Sequence, residues 1–127
     1  MRNIQQNINI NSNWNCSEIA FVKSLVWSNN DLTIVFYSQE KNIMKGWPDL
    51  SRGFRELSIK FQNVINLKLD FKGKGIHQVS GFDIMNISEN GLEGINFQIE
   101  DYENDSIKFF CEEVVINSMS EPHMIRF

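Results

Sequence analysis

Two histidines, His77 and His123, and two cysteines, Cys16 and Cys111, are the only side chains of their kinds in this chain of 127 residues. A Ser–His–acid or Cys–His nucleophile must draw on one of those histidines. His77 follows a glycine-punctuated stretch, "KGKG" at 72–75, and His123 lies in the tail "EPHMIRF". Neither has a companion at metal-ligand spacing, so both read as surface or half-buried histidines. Cys111 sits inside an apolar, alternating run, where cysteines are usually inert core residues. The glycines at 73 and 75 do not make a phosphate cradle, because no GxxxxGK[ST] run is present. No catalytic residue and no cofactor is expected.

The most polar segment is "EDYEND", residues 100–105. Asp101, Glu103 and Asp105 alternate like the first half of a calcium loop. The glycine such a loop needs is replaced by Ser106, and residues 106–112 read as strand, so no metal is assigned. A solvated hairpin tip is the plainer reading. Its functional counterpart is an acidic patch of Glu100, Asp101, Glu103 and Asp105 around Tyr102, since tyrosine in a charged rim is a common interface feature. Trp47, beside Pro48 in an irregular stretch, is the second candidate for a partner contact. Trp14, Trp27 and Trp47 are also candidates to line a small-ligand cavity, though core packing is the commoner use.

The elements that would position these groups are strands. Ten Phe, three Trp and many Ile suit pleated surfaces, and alanine occurs once, at Ala20. The length is that of one domain, and an apolar fraction of 42% is enough for a core. Residues 1–16 are Asn-rich and form either an edge strand or a loosely attached arm. "SEIAFVKSLVW" and "DLTIVFY" flank the turn cluster "SNND", which predicts a hairpin with Leu32, Ile34 and Phe36 on one face. Residues 38–56 lose the alternation, and Pro48 bars a central strand there.

Leu57, Ile59, Phe61, Ile65, Leu67, Leu69 and Phe71 then hold one phase. As a single straight strand that run spans about 50 Å. A compact domain of this size is about 35 Å across. The strand must therefore bend, near "QNV" at 62–64, as strands do at the corners of sandwiches. Gly81 marks a bulge or a close backbone approach. A meander follows over 82–88, 93–100 and 106–116, with Asn90-Gly91 expected as a type I′ turn. In "SIKFFCEEVVI" (106–116), Ile107, Phe109 and Cys111 share one phase while Val114 and Ile116 share the other. Glu112 and Glu113 mark the slip between them. The fold expected is all-β: an antiparallel two-layer sandwich or strongly curved sheet with little helix.

Charge and targeting narrow the function. A net charge of -4 argues against a phosphate-tracking nucleic-acid binder and favours a basic partner. No leader-like apolar segment and no membrane-length run is visible, and a stapled secreted scaffold would carry more cysteines. Cys16 and Cys111 read as free thiols in a reducing compartment, which predicts a cytoplasmic protein.

The order "ELSIKFQNVINLKL", "GFDIMNIS", "INFQIEDYENDSIKFFCEEVVI" across the C-terminal half resembles small bacterial immunity proteins of polymorphic toxin systems. That resemblance implies a compact β-rich cytosolic protein that binds and blocks a toxin domain, and it supplies no catalytic residues. The leading expectation is thus a non-catalytic protein-binding domain with a basic partner such as a toxin domain. The alternative is a small-ligand-binding β-sandwich or barrel.

Overall fold

The computed structural model describes residues 2–3, 15–41, 46–71 and 76–125, with only the backbone at 2–3. Among the described residues ten strands run β1 (Arg2–Asn3), β2 (Ile19–Ser28), β3 (Asp31–Ser38), β4 (Arg55–Gln62), β5 (Ile65–Leu69), β6 (His77–Gln78), β7 (Phe82–Asn86), β8 (Phe97–Asp101), β9 (Ile107–Cys111) and β10 (Glu113–Met119). They form two antiparallel five-stranded sheets, ordered β1-β7-β8-β9-β5 and β10-β4-β3-β2-β6. The expected all-β sandwich is what forms. Of the expected N-terminal edge strand, β1 pairs with β7, and Trp14 lies outside the described residues, as does "KGKG".

The β2–β3 hairpin forms where the turn cluster predicts it. Asn29 and Asn30 take φ of 53° and 70°, the left-handed pair of a type I′ turn. Leu32, Ile34 and Phe36 are fully buried, as their shared phase requires.

The overlong strand does bend. Asn63, at φ 55°, separates β4 in the second sheet from β5 in the first. Asn is one of the few residues that takes this conformation readily. The hairpin tip supports the corner: the Val64 N–H donates to the Asn30 carbonyl at 2.8 Å, and the Asn63 N–H donates to Asp31 Oδ1 at 3.1 Å. The second "SIKF" segment bends at the same level. β9 lies in the first sheet and β10 in the second, and Glu112 sits between them. Its N–H donates to the Gln62 carbonyl at 2.9 Å, and its Oε1 accepts from Asn63 Nδ2 at 2.8 Å. The two bent segments therefore pair with each other on both sides of one corner, β4 with β10 and β5 with β9.

This geometry predicts that Asn63→Gly is tolerated. Asn63→Ala should cost about 1–2 kcal/mol in urea unfolding, from left-handed backbone on a Cβ-bearing residue.

Between the sheets, Phe61 meets Phe109 edge-on at 5.0 Å and Phe36 meets Phe82 at 4.9 Å. Phe rings from both layers thus fill the interior. A smaller cluster of Ala20, Phe21, Tyr37 and Phe54 lies on the outer face of the second sheet, with Trp47, Ile76 and Ile125 packed against it.

One expectation about the turns needs correction. The Asn90-Gly91 type I′ turn does not form. Asn86 Oδ1 accepts from the Ser88 N–H at 3.0 Å and from its hydroxyl at 2.7 Å. That starts a 3-10 turn over Ser88–Asn90, and only Gly91 (φ 71°) takes the left-handed conformation, as its cap. The strand expected over 93–100 accordingly begins only at Phe97. In "PDLSRGF" Asp49 anchors a single turn, with the Arg52 N–H donating to the Asp49 carbonyl at 3.1 Å. Asp49 Oδ1 accepts from the Ser51 N–H at 2.9 Å and from its hydroxyl at 2.6 Å.

Candidate functional site

The β8–β9 hairpin carries the acidic tip, and the structure divides its residues among different tasks. Asp101 is 0% exposed and leaves the expected surface patch. One carboxylate oxygen accepts from the Ser106 N–H at 2.8 Å and the Ile107 N–H at 2.7 Å, and the other accepts from the Ser106 hydroxyl. A buried carboxylate is tolerated only with such a set of donors. Asp101 therefore ties the hairpin shut.

Ser106 in turn meets His77 Nε2 at 2.9 Å. The Ser106 proton is given to Asp101, so the Ser106 oxygen offers only lone pairs and His77 donates its Nε2–H. The order Asp–Ser–His is the reverse of what activates a serine, where the histidine must accept the serine proton. Ser106 is also buried, and His77 is stacked on Phe71 at 4.3 Å. The chain Asp101–Ser106–His77 is a strut between strands. His123 pairs through its backbone with Phe54, at 2.8 and 2.9 Å, and holds the tail against the second cluster.

Tyr102 is 66% exposed and is fixed from beneath. Its ring rests on Gly81, where an added Cβ would stand 2.8 Å from Cε2, and the Tyr102 N–H donates to the Gly81 carbonyl at 3.1 Å. Gly81, at φ 69°, is thus the close backbone approach expected from sequence. Beside it opens a depression of about 340 Å³ lined by Asn15, Cys16, Ser17, Phe82, Asp83 and Tyr102.

Asp83 was not among the residues expected from sequence, and strand pairing brings it in. It stands directly opposite Glu100, and Glu100 directly opposite Lys108. Lys108 in turn faces Lys68. The outer face of the first sheet therefore carries a row that is acidic at one end, Asp83–Glu100, and basic at the other, Lys108–Lys68. Like charges directly opposite each other cost stability. Glu103 is exposed next to Tyr102, whereas Asp105 turns to Lys68 at 3.6 Å, an exposed pair of little energetic weight. The acidic corner is therefore Asp83, Glu100 and Glu103 around Tyr102, with Asp105 at its margin.

Trp47 lies on the outer side of the second sheet. Its Nε1–H donates to the Gln39 carbonyl at 2.7 Å and Lys41 Nζ stands 4.6 Å over its ring. It is half-buried and serves to dock the 46–53 loop. Trp27 is exposed at the end of β2.

Both cysteines are free and buried. Burial pushes each thiol up to about 12, with the nearby carboxylates Asp83 (for Cys16) and Glu113 (for Cys111) adding to the effect. Each thiol is therefore a far weaker nucleophile at neutral pH than an exposed cysteine. Alkylation of either thiol in the folded protein should therefore be slower than in urea by at least about 100-fold, as mass spectrometry of a time course would read. Native-state alkylation at the unfolded rate would contradict the burial of both.

Among the described residues no group of three or more His, Cys, Asp or Glu side chains is placed to hold a metal ion, and no helix is long and apolar enough to cross a membrane. The chain matches no family model, and no curated protein or solved structure matches it.

Proposed function

We propose that the protein is a non-catalytic binding domain of the cytosol that captures a basic protein, in the manner of an immunity protein neutralising a toxin domain. The observation that carries this reading is the depression between Tyr102 and Asp83. It has room for a lysine or arginine side chain, and its one charged lining group, Asp83, is a carboxylate. A partner cation entering there would meet the Asp83 carboxylate and the face of the Tyr102 ring together. It would also relieve the repulsion between Asp83 and Glu100. Tyr102, already immobilised on Gly81, would lose little side-chain freedom on binding, which favours affinity. The basic end of the same row, Lys108 and Lys68, would repel a partner docked the wrong way round. The buried free thiols suit a reducing compartment.

The test is direct capture by toxin domains encoded beside the gene, with affinity measured calorimetrically. Binding of one such domain, together with protection of growth against it, is the expected result. Failure of every neighbouring toxin domain to bind would remove the immunity reading.

A further inference from the structure

A second depression lies on the other sheet, where the ends of β2, β3 and β4 meet. It measures about 220 Å³ and is lined by Glu18, Ser38, Glu40, Arg52 and Arg55, with Gln39, Gly53 and Pro122. Strand register explains why these groups converge. Ser38 stands opposite both Ile19 and Arg55, and the Gln39 N–H donates to the Glu18 carbonyl at 2.9 Å.

The groups around it differ in how they are used. Arg52 is a fixed wall: it donates to Asp49 Oδ2 at 3.3 Å, to the Glu40 carbonyl at 3.2 Å and to Gln39 Oε1 at 3.3 Å. Gln39 is saturated, with Nε2 on the Asp49 carbonyl at 2.9 Å and Oε1 accepting the Asp49 N–H at 2.7 Å. Ser38 is different. It is only 3% exposed, lines the cavity, and its hydroxyl has no hydrogen-bond partner among the described residues. A buried hydroxyl without a partner is costly, and such groups are rare in folded proteins. Arg55 also makes no hydrogen bond or ion pair with the described residues, although its charge is felt at Glu18. Glu18 uses one oxygen to accept the Asn15 N–H at 2.9 Å. Burial, and secondarily Glu40, hold its carboxyl above the usual range, against the opposing pull of Arg55 and Lys41.

We infer that this cavity binds a small zwitterion of the free α-amino acid class, with its carboxylate on Arg55 and the Ser38 hydroxyl and its ammonium between Glu18 and Glu40. The two carboxylates and two guanidinium groups of the described lining cancel in charge, so a ligand carrying both signs leaves no net charge buried. A guanidinium whose donors the described residues leave unused is matched to a carboxylate, which it takes in bidentate fashion. At about 30 Å³ for each water-sized group, the volume takes about seven non-hydrogen atoms, which is the size of serine. The site is independent of the acidic corner, and neither reading depends on the other.

The experiment follows the amide resonances of the full chain while L-serine or L-alanine is added. Parallel titrations use propionate, which lacks the ammonium, ethanolamine, which lacks the carboxylate, and L-tryptophan, which is too large. The expected result is saturable shifts centred on Glu18, Ser38 and Arg55 with serine and alanine. Propionate, ethanolamine and tryptophan should each bind at least about tenfold more weakly, the worth of one charge-assisted contact. Arg55→Gln and Glu18→Gln should each weaken serine binding by a similar factor while keeping the native spectrum elsewhere. Absence of saturable shifts with both amino acids would overturn the proposal. So would propionate matching alanine, which would make the site one for anions alone. If a substitution unfolds the chain, the wild-type comparison of alanine with propionate and ethanolamine still decides.

Discussion

Asp101→Ala is expected to destabilise the fold by about 4 kcal/mol, a large part of the stability of a domain this size. The carboxylate is fully buried and accepts from two backbone N–H groups and one hydroxyl. Removing it strands three donors where water does not reach them, and each unsatisfied donor costs about 1–3 kcal/mol. Asp101→Asn should be milder, since the amide keeps one oxygen for the Ser106 and Ile107 N–H groups but turns an NH₂ toward the Ser106 hydroxyl. Glu103→Ala, two residues away and exposed, should move stability by no more than about 0.5 kcal/mol. Urea unfolding of the three variants separates the acid that holds the hairpin from the acid that faces outward. Equal effects at Asp101 and Glu103 would contradict the assignment.

The second large effect concerns Gly81. Gly81→Ala should weaken partner binding by about tenfold or more, although glycine itself has no side chain to offer a partner. The new Cβ would stand 2.8 Å from the Tyr102 ring at a φ of 69°, so the ring must lift from its seat. Tyr102→Ala should cost at least as much, as truncation of a central aromatic contact commonly costs about 2 kcal/mol. Asp83→Lys should cost more still, because it places a cation inside the depression meant to receive one. Each variant is to be compared by calorimetry with Lys68→Ala, at the basic end of the row, which should bind as well as the wild type. If Gly81→Ala leaves affinity unchanged while Tyr102→Ala abolishes it, Tyr102 is not held in place by Gly81.

Parity explains why the sheets were readable and the site only partly so. Period-two alternation put Leu32, Ile34, Phe36, Leu57, Ile59, Phe61, Ile107 and Phe109 on inward faces, and all are fully buried. Chain length against domain size demanded a corner near 62–64, which Asn63 supplies, and the phase slip at Glu112–Glu113 marked its counterpart. The same parity held information about the tip: the phase that turns Phe97 and Ile99 inward also turns Asp101 inward. Ending the strand at Glu100 hid that. Asp83 could be read as outward from "FDIM", but not as the neighbour of Glu100 and Tyr102, because pairing partners are set by register between strands remote in sequence. The Asn90-Gly91 turn failed because Asn86 captured Ser88 first. Local side-chain bonds of that kind compete with the hairpin and leave little trace in alternation.

The central claim is that a partner's cation sits between Asp83 and Tyr102. A charge swap tests it most directly. Asp83→Lys should lose binding to the partner toxin domain, and a matching Lys→Asp or Arg→Asp substitution on the partner should restore a substantial part of it. Tight binding by Asp83→Lys to the unaltered partner would contradict the account.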